Sequence, residues 1–297
     1  MTMTKKKGST GRVQKFNIAD VIIYIILGLF AFVTLYPFIY TIAGSFSDAE
    51  EMLNGPIWFF PRKFSIASYL VILADKRLFQ AFFNTLWTTV VGTLFGLLIQ
   101  SCCAYAFASR RLRGKKFFWY LNMITMFVGG GMIPTYLVMV LLGLYDTHVV
   151  LFLPYLYSVY NTIIMTNFFR GIDPALYESA VMDGASEFTI WIRIYLPISK
   201  PVLATVGLWI AVARWNAYYP TMIYTAKGED KWLLQYYLMR LIKEGDSPNV
   251  DGIYRSQVST KTLSYAAIVV SSLPIILAYP FIAKNFSKGA RLGSIKG

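Results

Sequence analysis

What most limits the folds open to this chain is a series of long stretches without a single Asp, Glu, Lys or Arg: residues 21–47, 78–109, 117–145, 147–169 and 262–283. Crossing the hydrocarbon core of a bilayer takes about 20 mostly apolar residues, so each stretch is long enough to span it. A sixth run starts at Pro201 and is interrupted only by Arg214, which a span accepts if the arginine lies near one end or faces protein. With 56% hydrophobic and 14% charged residues and a mean hydropathy of +0.52, lipid is the main solvent of this chain. The expected class is all-α, a multi-pass membrane protein of six transmembrane helices.

The third and fourth runs are separated only by the turn "GLYDTH", which predicts a hairpin, and an even number of spans puts both termini on one side. The N-terminal tail, the "RRLRGKK" loop, the 170–200 loop and the C-terminal tail hold 17 of the 28 Lys and Arg but five of the 15 acids. An excess of Lys and Arg marks the cytoplasmic side, so both termini are expected there. The net charge of +13 is scattered in short clusters between apolar runs, which argues against a nucleic-acid face. The first apolar run is too long for a signal peptide and has no small-residue cleavage site, so it is expected to remain as the first span. Segments at about 48–77 and 221–261 read as ordered extracytoplasmic loops. Gly92 and Gly96 form a GxxxG pair suited either to internal packing or to a subunit interface. Cys102 and Cys103 are adjacent and cannot easily bridge. His148, the single histidine, has no spaced Cys or His partners, so no metal site is expected.

The 170–200 loop is the exception to the charge rule, with three basic and four acidic residues. Its sequence "GIDPALYESAVMDGASEFTIWIRIYLPISKP" supplies an N-cap Asp173 followed by Pro174 at the first helical position. The helix carries Leu176, Glu178, Ser179, Ala180 and Asp183 and should end at Gly184, whose freedom at positive φ suits a left-handed stop. Ser186 then caps a second helix, and Pro197 and Pro201 punctuate the start of the fifth span. Small residues allow close seating in a partner's groove, and Glu178 and Asp183 can pair with basic groups there. Amphipathic helices that lie on membranes usually favour Lys and Arg, whereas this one is acidic.

The order Glu178, Ser179-Ala180, three residues, Gly184, nine residues, Ile194, any residue, Leu196-Pro197 resembles the EAA motif of permease subunits in ATP-binding-cassette importers, with Ser179 where the family usually has Ala. "LYPFIYTIAGSFSD", "AYAFASRRLRGKK", "RWNAYYP" and "FSKGARLGSIKG" extend the resemblance over nearly the whole chain, to maltose-type carbohydrate permeases. "FVGGGMIPTYLV" looks most like the subgroup that imports polysaccharide fragments such as alginate or pectin oligosaccharides. The resemblance implies a type I importer permease fold with a core over 78–283, preceded by a tail, first helix and external loop over 1–77 and followed by a cytoplasmic tail over 284–297. It implies a bacterial cell-membrane location, a second permease, two copies of an ATP-binding subunit, an external solute-binding protein and an oligosaccharide cargo. The loop would be the coupling helix that docks on the ATPase through Leu176, Glu178, Ser179, Ala180, Asp183, Gly184, Ala185 and Pro197. ATP and Mg would sit on the partner subunits. This chain has no GxxxxGK[ST] phosphate loop, and "VGGG" at 128–131 lacks the lysine, so those glycines permit close packing or a local bend.

For the substrate path, Arg214, Trp215, Asn216, Tyr218 and Tyr219 gather at the outer end of the fifth span. Aromatic faces suit sugar C–H surfaces, and the arginine could hold a uronate carboxylate. The alternative is an interfacial aromatic belt with a snorkelling arginine. A second functional class, an ion-coupled secondary transporter, needs intramembrane carboxylates that these runs lack. No acid, base or metal set for a membrane enzyme is assembled.

Overall fold

The computed structural model describes residues 18–109, 111–245, 248 and 257–293, with side chains as far as Leu277. The N-terminal basic tail, residues 294–297 and most of "EGDSPNVDG" lie outside the described residues. Among the described residues there is no strand, only an isolated antiparallel bridge between Ser47 and Phe64. In chain order the helices are α1 (Ile18–Ser45), α2 (Ala49–Leu53), α3 (Ala67–Ala74), α4 (Lys76–Ala108), α5 (Lys115–Phe127) and α6 (Met132–Leu141), then α7 (Val159–Arg170), α8 (Pro174–Met182), α9 (Glu187–Ile190), α10 (Leu196–Ile198), α11 (Lys200–Trp215), α12 (Leu234–Met239) and α13 (Thr260–Gly293).

Three of these, α1, α4 and α13, are long and apolar enough to cross a membrane as single rods. At 33 residues α4 is about 50 Å long, so it tilts or projects beyond a hydrocarbon core of about 30 Å. The remaining apolar runs are bent pairs, and counting each pair as one span gives six. The third run is therefore not the single helix that its apolar length predicts: α5 and α6 meet at 114°, and at about 20 Å and 15 Å neither half spans alone. The break falls on Val128–Gly131, where Val128 is extended and Gly131 has φ +82°. An added Cβ would meet nothing within 4 Å at Gly129 and only Pro134 at the next two glycines, so this stretch serves a bend and not a close helix contact. In the fourth run the 3-10 turns over Val149–Tyr155 meet α7 at 51°.

The fifth span begins with an 85° corner between α10 and α11 at Ser199. Pro201 has no N–H to give to the carbonyl of Pro197, so the helical ladder breaks where the chain turns. At the N-terminal end of α4, side chains tie the helix to both long loops. Asp75 caps α4 through the Arg77 amide at 2.8 Å and accepts the Tyr237 hydroxyl of α12 at 2.8 Å. Asn84 of α4 donates to the carbonyls of Asp230 and Trp232 at 2.7 and 3.0 Å, and the Leu234 amide donates to Thr85 Oγ1 at 2.8 Å.

Among the described residues three apolar cores hold the bundle, the smallest of them Val150, Leu151, Tyr224 and Leu233. Of the larger two, one packs Ala104, Met165, Phe169, Val206 and Ile210 between α4, α7 and α11. The other joins Leu78, Trp215, Trp232, Tyr237 and Leu263 across α4, α11, α12 and α13. The Gly92/Gly96 pair is buried inside the bundle, where added side chains would meet Arg214, Phe152, Ile210 and the Leu156 carbonyl at 3.4–3.5 Å. It serves internal packing. No side chain of α6 is buried, and α1 has none in its apolar window, which leaves these faces to lipid or protein neighbours.

Candidate functional site

The loop after α7 builds itself from local bonds. The Asp173 carboxylate accepts the Ala175 amide at 3.0 Å and starts α8, with Pro174 in the first turn where a missing N–H costs nothing. At the far end the Gly184 amide bonds the Val181 carbonyl at 3.0 Å and the Ala185 amide bonds the Ala180 carbonyl at 2.9 Å. This pair of bonds is a Schellman motif, and it requires Gly184 at φ +79°. Among the described residues nothing stands within 4 Å of where a Gly184 side chain would begin. The Ser186 hydroxyl then accepts the Thr189 amide at 3.2 Å and starts α9.

The residues picked out by sequence divide between two faces. Leu176, Glu178, Ser179, Asp183 and Gly184 are exposed, Pro197 is exposed in α10, Ala185 is half-buried, and Ala180 is buried beneath the helix with Ile190 and Trp191. The polar exposed side is joined by two large apolar groups that composition alone did not flag, Met182 at 87% exposure and Phe188 at 66%.

Glu187, also not singled out by the motif, ties the loop to the membrane part. Its carboxylate accepts the Tyr105 hydroxyl of α4 at 2.5 Å and the Tyr177 hydroxyl of α8 at 2.6 Å. Arg111, after α4, lies 3.9 Å from the same carboxylate and 5.3 Å from the centre of the Tyr177 ring. Burial, and the hydrogen bond given to Glu187, hold the Tyr177 proton on above the usual tyrosine range. Behind α8 lies a cleft of about 480 Å³ whose wall includes Arg111, Lys115 and Arg170. A carboxylate gripped by hydroxyls from two elements transmits displacement from one to the other.

The five residues at and after the C-terminal end of α11 are not brought together. Arg214 turns inward: its methylene stem packs over Gly92, its guanidinium carbon lies 4.4 Å from the centre of the Tyr155 ring, and Nη1 is buried with no hydrogen-bond partner. Trp215 points elsewhere, giving its indole N–H to the Ser271 carbonyl at 3.2 Å and packing edge-on to Phe82, so it fastens α11 to α13. Asn216 bonds back to the Val212 carbonyl, and Tyr218 and Tyr219 are exposed. Arg214 alone of the five faces a chamber of about 500 Å³ between α4, α7 and α11.

No protein-family model matches the chain. The polygalacturonan/rhamnogalacturonan transport system permease protein YtcP of Bacillus subtilis is 36% identical over 289 residues, covering 96% of this chain and all of that protein. The chain belongs to the sugar ABC transporter permeases. Another relative, Protein LplC of Bacillus subtilis, is 36% identical over 283 residues, covering 95% of this chain and 96% of its own. Among solved structures, a chain of a bacterial ABC transporter involved in the import of the acidic polysaccharide alginate superposes with a TM-score of 0.85 at 32% identity, over 94% of this chain and 100% of that one. This permease is a multi-pass membrane protein of the importer type.

Proposed function

We propose that this permease forms half of the translocation path of an ATP-driven carbohydrate importer and carries out no chemistry of its own. Its partners are a second permease, two copies of an ATP-binding subunit that hold ATP and Mg, and an extracytoplasmic solute-binding protein. Its cargo is an oligosaccharide, of acidic type on the strength of Arg214. In this reading both termini and the 170–200 loop face the cytoplasm, in keeping with the distribution of Lys and Arg. Closure of the ATPase pair pushes α8 as a lever, and contacts that differ between two states couple hydrolysis to reorientation of the spans.

The observation that carries the proposal is the Schellman-closed α8, which holds Leu176, Glu178, Ser179 and Asp183 exposed beside Met182 and Phe188. A rigid, acidic and apolar knob suits a partner's groove better than it suits lipid headgroups. Replacing Gly184 by Val forces a branched residue into left-handed backbone and plants bulk on the docking face. In a purified complex, substrate-stimulated ATPase should fall about 50-fold or more while the permease still inserts and pairs with its partner permease. Normal stimulated ATPase in an assembled G184V complex would remove the docking role.

A further inference from the structure

The chamber is lined by two side chains, Arg214 and Gln100, that each keep a buried polar atom without a hydrogen-bond partner among the described residues, one a donor and one an acceptor. Arg214 Nη1 is a buried donor with no partner, and among the described residues no carboxylate lies within 4 Å of the guanidinium. Gln100 Oε1 is a buried acceptor with no partner. Its identity as the acceptor follows from the other end of the amide: Nε2 lies 2.7 Å from the Leu156 carbonyl, which can only accept. Asn161, buried on the same wall, gives its backbone N–H to the Ser158 hydroxyl and leaves its side chain open to the cavity. A half-buried cation with no carboxylate beside it is only partly compensated by the face of Tyr155. An anion entering the chamber would supply the missing charge.

The rest of the lining indicates which anion. Tyr157, Tyr160 and Trp209 contribute to the wall, and the Tyr160 and Trp209 rings lie 6.1 Å apart, inclined by 32°. Flat apolar faces next to amide acceptors and donors match sugar rings, with C–H faces on one side and hydroxyls at the edge. The volume, about 500 Å³, falls in the usual range of small-ligand sites of about 300–1,000 Å³. Inorganic anions would leave the aromatic wall unused, and neutral sugars would leave Arg214 unpaired.

We propose that this chamber is a binding subsite for one uronate unit of an oligosaccharide in transit. Arg214 seats the carboxylate, Gln100 accepts a ring hydroxyl, and Trp209 and Tyr160 cover the ring face. The proposal rests on the carbohydrate-importer reading and adds the site and its charge selectivity. Gly92 and Gly96 are part of it, because side chains there would occupy the space that Arg214, Phe152 and Ile210 take up.

The test uses the whole complex in proteoliposomes and measures import of trimers of galacturonate and of mannuronate alongside their neutral methyl esters. The wild type should import at least one acid form faster than its ester. Arg214→Gln should slow the acid form about 10- to 100-fold and the ester less than about threefold. Arg214→Lys keeps the charge without the fork and should cost the acid form a smaller factor, which gives a readout if R214Q fails to assemble. Trp209→Ala should slow acid and ester alike. Equal losses for acid and ester in the Arg214 variants, or a wild type that prefers the esters, overturns the subsite and leaves the carbohydrate reading standing. A wild type that imports none of the four probes, nor any neutral oligosaccharide, overturns the carbohydrate reading itself.

Discussion

The loop around α8 and the chamber around Arg214 are built in opposite ways. The caps and the stop that shape the loop join residues at most five positions apart: Asp173 to Ala175, Ala180 to Ala185, Ser186 to Thr189. The chamber takes Gln100 from α4, Tyr155 and Asn161 from the fourth run and Trp209 and Arg214 from α11. A locally folded unit can be displaced as one body while its own geometry stays fixed, which suits a lever. A chamber spread over three helices changes shape whenever those helices move, which suits a site that must hold and then release its cargo. Damage to the loop should therefore uncouple transport without altering what is bound. Damage to the chamber should alter selectivity without uncoupling.

Glu187 offers the largest test of that division, because its carboxylate joins the loop to α4. Glu187→Ala strands two tyrosine hydroxyls, each losing a charge-assisted hydrogen bond worth about 1.5–3 kcal/mol before solvent replaces part of it. Solvent replaces much of it here, since the carboxylate is half exposed. We expect import to slow about tenfold with the ratio of acid to ester import unchanged. Glu187→Gln, which keeps an acceptor, should recover much of the rate. A ratio that shifts along with the rate would mean that loop and chamber are not separable.

On the chamber side, Gly92→Val should have an intermediate effect. The added Cβ already touches the Arg214 stem at 3.4 Å and Phe152 at 3.5 Å, so the two methyls beyond it should push the guanidinium off the Tyr155 face. We expect a fall of about fivefold in the ratio of acid to ester import, with ATPase stimulation by the ester close to normal. Loss of stimulation with the ester as well would show that Gly92 serves helix movement and not selectivity.

The same contrast explains what can be read in the sequence. Caps and helix stops act over a few residues, so Asp173, Gly184 and Ser186 mark the loop through residue type and spacing alone. The six apolar runs are legible for a similar reason, since bilayer thickness sets a length that can be counted. Their shape is harder to read: nothing in the length of 117–145 distinguishes a straight rod from two halves at 114°, though the three glycines mark where a bend can fall. The chamber is least legible. Arg214 stands out as a charge in a span, but Trp215 beside it points elsewhere because adjacent helical positions differ by about 100°, and Asn216, Tyr218 and Tyr219 lie beyond the end of α11 and outside the chamber lining. Gln100, Asn161 and Trp209 carry no local signal, and only the packing of α4, α7 and α11 brings them together.

Ser186→Ala should give a smaller effect on the loop side. Losing the cap leaves the Thr189 amide unsatisfied at the start of α9, at a cost of about 1 kcal/mol. Because Glu187 still holds α9 to Tyr105 and Tyr177, the loop should keep its shape, and import should slow no more than about twofold. A loss as large as that of Glu187→Ala would indicate that the cap, and not the carboxylate, fixes the lever.

The smallest functional effect is expected at Asn84, which belongs to neither region. Its side chain joins α4 to the loop before α12 through the carbonyls of Asp230 and Trp232, and Asn84→Ala leaves both without that donor near the buried ring of Trp232. The cost should be about 1–3 kcal/mol, read as a fall of a few degrees in the unfolding midpoint of the purified protein in detergent. Import rate and acid-to-ester ratio, measured well below that midpoint, should stay within about twofold of wild type. A change in the ratio would extend the chamber's influence outward along α4, because Asn84 stands two helical turns from Gly92 on the same helix. A change in ATPase coupling alone would instead mean that the loop before α12, pinned by Asn84 and Thr85, takes part in the movement that α8 begins.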